Sequence, residues 1–182
     1  NPKITDTKFK NEVAAIEKAA RRRKVEFTVL TASAGEFSER MLAEWEKHKG
    51  TEEGEEYLYT AFLKYKGEGN IAGVFDFGGR LIGAYPKSKR LLDVLGTMGA
   101  FAIQAADFER AAFLFEEYHR RFPKDKKATE MLMSAANIHI YLGQYDKAAK
   151  DLRILRGEAS GALRIQAHQK LMEIYRDIGD WN

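Results

Sequence analysis

Residues 128–155 read ATEMLMSAANIHIYLGQYDKAAKDLRIL, and the spacing of their apolar side chains decides the fold. Leu132, Ala135, Ala136, His139 and Ile140 fall at i, i+3, i+4, i+7 and i+8, one face of an α-helix. Leu142-Gly143-Gln144 interrupts that face, glycine being the residue that most readily takes the left-handed backbone beyond a helix end. Tyr145, Ala148, Ala149, Leu152 and Leu155 then resume the helical spacing. The stretch is a helix, a tight turn and a second helix.

The same pattern recurs upstream. Gly69, Ala106, Gly143 and Gly179 are separated by 37, 37 and 36 residues, and each is followed two positions later by Ile71, Phe108, Tyr145 or Trp181. Pro86 and Pro123 also lie 37 apart, as do Leu58, Leu95 and Leu132. One period shared by three kinds of marker is the signature of a repeat protein. In the central unit, Leu95, Met98, Gly99 and Ala102 precede the turn. Asp107 then offers an N-cap, and Phe108, Ala111, Ala112, Phe115 and Tyr118 form a second helix that stops at Pro123.

These residues resemble the tetratricopeptide repeat family. Gly99, Phe108, Ala111, Phe115 and Pro123 match its pattern in one unit, and Leu132, Ala136, Gly143, Tyr145 and Ala148 in the next. The stretch Phe115 to Pro123 is similar to repeats common in bacterial cell-envelope proteins, which places periplasm or envelope slightly ahead of cytoplasm as the expected location. The resemblance implies an all-α, right-handed superhelix, an α-solenoid of helix-turn-helix repeats with period 36–37. Residues 1–54 are then N-terminal helices, a degenerate first repeat. The repeats follow at about 55–91, 92–128, 129–160 and 161–182, the last one cut short.

The first full unit departs from the pattern. Phe62 stands where a small residue is expected, and Gly73, Gly78, Gly79 and Gly83 all fall in its second helix. Each helical glycine costs about 1 kcal/mol relative to alanine. A hairpin turning at Gly78-Gly79 is the local alternative. The register with Tyr65, Gly69 and Pro86 favours a helix over 70–86, with Phe62 packing into space vacated by Gly78. Upstream, Phe9, Val13, Ile16 and Ala20 predict a helix over 7–24, continuing to about Thr31. Ser33-Ala34-Gly35-Glu36 breaks it, and Met41, Leu42 and Trp45 predict another helix to about residue 48. The chain opens Asn1-Pro2 and stops just after the turn Gly179-Asp180-Trp181, so we expect a cut chain with more protein downstream.

Composition narrows the function classes. The 182 residues hold 30 Lys+Arg against 27 Asp+Glu, 45 % hydrophobic residues and no Cys, which argues against disorder and excludes disulfides, thiolate metal sites and thiol nucleophiles. No apolar run is long enough to cross a membrane. Charge is uneven: net +4 over residues 1–30 and −5 over 31–56. The basic run Arg21-Arg22-Arg23-Lys24 could meet phosphates or an anionic surface, but cations also suit a helix C-terminus. The Glu patch at 52–56 suits a first helical turn.

Chemical motifs are thin. Gly67-Glu-Gly69-Asn-Ile-Ala72 matches a dinucleotide fingerprint, but helical spacing rather than a strand precedes it, so it reads as the repeat turn. Glu116 and His119 form a lone Glu-x-x-His, short of a di-iron set, and read as a solvated helix face. No nucleophile–base pair stands out, so neither enzymatic activity nor a cofactor is expected.

The resemblance implies that the first helices of the repeats line a concave groove. Its bottom would be Tyr59, Leu63, Ile103, Met133, Asn137, Ile140 and Tyr141, our predicted partner-binding residues. Asn137 fits the family's carboxylate clamp, but Met133 stands where its Lys belongs, so a peptide C-terminus is not the expected ligand. The apolar middle is also wrong for reading RNA bases, as pentatricopeptide repeats do. The expectation is a non-catalytic scaffold that binds a peptide or helix of a partner protein, with self-association through the uncapped C-terminal repeat as a further mode. The alternative is a regulatory or assembly module of a larger protein whose effector part lies elsewhere.

Overall fold

The small residues that set the period do the same structural task three times. In the computed structural model, which describes residues 7–31 and 36–178, Gly69, Ala106 and Gly143 all have positive φ, at 67°, 56° and 69°. The residue after each donates its backbone N–H five residues back: Asn70 to Tyr65, Asp107 to Ala102, Gln144 to His139. Each small residue donates three back, to Lys66, Ile103 and Ile140. This paired bonding closes a helix and satisfies its last carbonyls.

The turns join three pairs among nine helices in the described residues, with no strand there. They are α1 (Thr7–Thr31), α2 (Phe37–Lys47), α3 (Glu52–Gly67), α4 (Ile71–Ala84), α5 (Leu91–Gln104), α6 (Phe108–Arg121), α7 (Ala128–Tyr141), α8 (Tyr145–Glu158) and α9 (Gly161–Ile178). The expected break at Ser33 to Gly35 and the turn at Gly179 to Trp181 lie outside the described residues. The chain divides into two compact units, Asn1–Ser88 and Lys89–Asn182.

In the first unit α3 packs on α1, α2 and α4. Phe37, Met41 and Trp45 of α2 meet a core of Tyr57, Leu58, Ala61 and Phe62 from α3 and Val74, Phe77 and Leu81 from α4. Residues 71–84 are one helix despite four glycines, as the register predicts, and not a hairpin. Asn70 caps it by accepting from the Gly73 backbone N–H at 3.0 Å. One close approach in this unit uses a missing side chain. It is Tyr65 over Gly73: a Cβ there would come within 2.6 Å of Tyr65 Cδ2. Tyr65 in turn stacks on Phe77 and meets Phe37 edge-on, with centroids 5.5 and 5.8 Å away.

The basic run and the Glu patch meet in this unit. Thr51 caps α3 by accepting from Gly54 N–H, and Glu52, Glu53 and Glu55 fill its first turn. Arg21 of α1 reaches Glu52 at 3.1 Å and Lys24 reaches Glu53 at 2.6 Å. The apolar positions Val13 and Ile16 of α1 stay exposed, Ile16 by 69 %, whereas Val25 is buried.

In the second unit each helix packs on the next in sequence, from α5 through α9, the arrangement of an α-solenoid. Gly99 of α5 lies against Phe115 of α6. Leu132, Met133 and Ala136 of α7 share a core with Ala148, Ala149, Leu152 and Leu155 of α8. Ala167, Leu171 and Ile174 of α9 join that core, while Ile165 and Met172 of the same helix face outward. No helix among the described residues is long and apolar enough to cross a membrane.

Candidate functional site

Of the seven residues predicted to bind a partner, Tyr59 and Leu63 belong to the first unit and the other five to the second. Tyr59 is half-buried and stacks on Phe62 at 6.1 Å, and Leu63 is 43 % exposed. In the second unit Ile103, the penultimate residue of α5, is 43 % exposed. Asn137 is exposed on α7, and Tyr141 at the end of α7 is 74 % exposed with its ring edge-on to Phe108 at 5.4 Å. Ile140 is half-buried against the α7–α9 core.

Met133 does not belong with them. It is only 6 % exposed and sits inside the α7–α8–α9 core beside Leu132 and Ala136. Leu132 and Met133, adjacent in α7, are both buried in a core that also draws residues from α8 and α9. The outward surface of α7 therefore carries Asn137 and Tyr141, with Ile140 at its margin.

A second constellation lies between α6, α7 and α8, where the lone Glu-x-x-His was read as a solvated face. That reading fails. His119 is buried and its Nε2 pairs with Glu158 at 2.8 Å. Glu116 turns the other way, its Oε1 3.0 Å from Nε2 of His139. His139 is buried, and Asp151 Oδ2 from α8 lies 3.9 Å from the same ring nitrogen. The Asp151 side chain is 4 % exposed and this oxygen has no hydrogen-bond partner. Burial, with the Glu116 charge beside it, pushes the Asp151 carboxyl up to about 7.

The other ring nitrogen fixes the histidine. Nδ1 is 2.9 Å from Gln144 Oε1. Gln144 Nε2 donates to Glu109 at 3.0 Å and Lys147 Nζ donates to Gln144 Oε1 at 3.1 Å, so the amide presents its oxygen to the ring. A carbonyl oxygen only accepts, so Nδ1–H is the donor. Gln144 occupies the place at which Asn70 and Asp107 cap their helices in the preceding repeats, yet it makes no cap. Its side chain is spent on His139 instead.

Sequence reasoning treated His139 as part of an apolar face and missed Asp151, although the period carried the signal. Thirty-seven residues before His139 stands Ala102, and before Asp151 stands Leu114, preceded by Phe77 at the same interval. All three are buried apolar residues. Polar replacements at two core positions of one repeat mark the place.

The fingerprint at Gly67–Ala72 is the turn between α3 and α4 and follows a helix, as its spacing suggested. No protein-family model matches the chain, and no curated protein matches it.

Proposed function

We propose that this chain is a non-catalytic protein-interaction scaffold of tetratricopeptide type, whose repeats bind a peptide or helix of a partner protein. The observation that carries the reading is Tyr141: an aromatic ring 74 % exposed at the end of a first helix, braced against Phe108. Ile103, the residue of α5 that precedes the equivalent turn by three, is exposed too. Apolar side chains held outward by a rigid helix pair suit an apolar anchor on a partner, with Asn137 able to bond its backbone. The likeness of Phe115 to Pro123 to envelope-protein repeats supports a bacterial envelope location for that partner.

The test is affinity capture of partners by the wild-type chain and by Ile103→Glu/Tyr141→Glu, read by mass spectrometry. Both positions are exposed, so circular dichroism should show the variant as helical as the wild type. A partner held by the wild type and lost by the variant supports the proposal. A partner held equally by both moves binding off this face and overturns it. Met133→Glu is unsuitable, because that charge would enter the core.

A further inference from the structure

The Glu116–His139–Asp151 constellation is short of hydrogen atoms. With Nδ1–H given to Gln144, an uncharged His139 presents only a lone pair at Nε2. That lone pair faces Glu116 Oε1 at 3.0 Å and Asp151 Oδ2 at 3.9 Å. A proton on Nε2 would satisfy the first contact, and Asp151 Oδ2 would then need a further proton, shared with Glu116, to gain a partner. A divalent cation would satisfy all three atoms and neutralise both carboxylates.

We propose that Glu116, His139 and Asp151 bind a single divalent first-row transition-metal ion, zinc being the probe of choice, and that the ion fastens α6, α7 and α8 together. One ligand atom from each residue lies within 4.8 Å of the other two. A tetrahedral zinc ion with bonds of about 2.1 Å holds its ligand atoms about 3.4 Å apart. The distances of 3.0 and 3.9 Å on either side of His139 bracket that spacing. One imidazole with two carboxylates is a borderline ligand set that suits zinc or manganese over a purely oxygen-seeking cation.

The surroundings are those of a metal-bound histidine. Such a ligand almost always donates its distal N–H to an oxygen that orients the ring. Gln144 does this, and it is anchored by Glu109 and Lys147. His139 and Asp151 close the inner side of the site. Glu116, with 35 % of its side chain exposed, leaves water a route to a fourth coordination position.

The experiment uses the full chain, free of any affinity tag and stripped with chelator, titrated calorimetrically with zinc chloride and separately with manganese chloride. Thermal unfolding is followed in parallel. The expected result is one zinc ion per chain and a midpoint raised by roughly 5 °C or more at hundredfold excess over Kd, reversed by EDTA. Asp151→Asn and Glu116→Gln, both close in shape to the wild type, should each weaken binding at least tenfold while the apo proteins stay helical. Gln144→Ala should weaken it by roughly 10–100-fold through loss of ring orientation. Failure to bind either ion with one-to-one stoichiometry overturns the proposal. Binding that is equal in wild type, Asp151→Asn and Glu116→Gln also overturns it, because the ion would then sit on exposed groups such as His168.

Discussion

Gly99 of α5 and Phe115 of α6 meet so closely that a Cβ on the glycine would lie 2.8 Å from Phe115 Cδ1 and closer still to Cε1. Tyr65 and Gly73 make the same contact with the roles exchanged: in the first unit the ring is on the first helix of the pair and the glycine on the second. These two helix pairs thus each set one aromatic ring against one bare backbone.

Glycine-to-alanine changes should therefore split by sign. Gly99→Ala and Gly73→Ala drive a methyl into a packed ring and should lose about 1–3 kcal/mol of stability, outweighing the gain in helix propensity. At Gly79 and Gly83 a Cβ meets nothing within 4 Å, and neither has positive φ. Alanine there should stabilise by about 0.5–1 kcal/mol. Urea midpoints at unchanged slope decide the matter. Uniform stabilisation of all four would mean that the two rings move aside freely.

The turn positions respond in the opposite sense. Ala106 holds φ of 56° where its counterparts are Gly69 and Gly143. Ala106→Gly should stabilise the protein by a few tenths to about 1 kcal/mol, since the strain of a left-handed alanine exceeds the entropy lost by adding a glycine. Gly143→Ala should cost about 1 kcal/mol. Equal midpoints for wild type and Ala106→Gly would show that the turn carries no such strain.

These turns explain why so much of the fold was legible. A left-handed residue that closes one helix just before the next begins is a local event, dictated by three or four neighbours, and Gly69, Ala106 and Gly143 recur at one spacing. What lies between helices was harder to read. The seating of Tyr65 on Gly73 follows a small-against-large rule, but helical spacing alone does not single out that pair. Met133 was misplaced likewise, because it is buried in a core shared with α8 and α9, which helical phase within α7 does not reveal. The Glu116–His139–Asp151 group draws one residue from each of three helices, so no contiguous motif spells it out.

Acid stability should depend on the pair Tyr118 and Asp125. The Tyr118 hydroxyl donates to Asp125 Oδ1 at 2.7 Å and the Lys127 backbone N–H donates to the same atom at 2.9 Å. The Tyr118 bond, followed by that of Lys127, holds the Asp125 carboxyl below its ordinary value of 3.8. A depressed folded-state value stabilises fully above 3.8, and that contribution is lost as pH falls further, through the folded value. Tyr118→Phe should therefore be less stable than wild type at pH 7 and at pH 5. The gap should shrink below pH 4. Urea midpoints across that range check it, and a gap independent of pH would assign the loss to ring packing alone.

The last prediction separates capping from orientation. Asp107 accepts from Arg110 N–H at 3.2 Å, and Asn70 caps α4 in the same way, so alanine at either position should cost about 1 kcal/mol. Gln144 stands at the equivalent place and caps nothing, so Gln144→Ala should leave the end of α8 unchanged. Its effect should instead appear at His139, whose Nδ1 loses the acceptor that selects the tautomer. Nitrogen chemical shifts of the His139 ring in metal-free protein should show Nδ1–H held in the wild type and a mixture of tautomers in Gln144→Ala. A ring unchanged by that substitution would mean that Glu116 and Asp151 orient His139 without help, and that Gln144 reached it merely because no cap was needed.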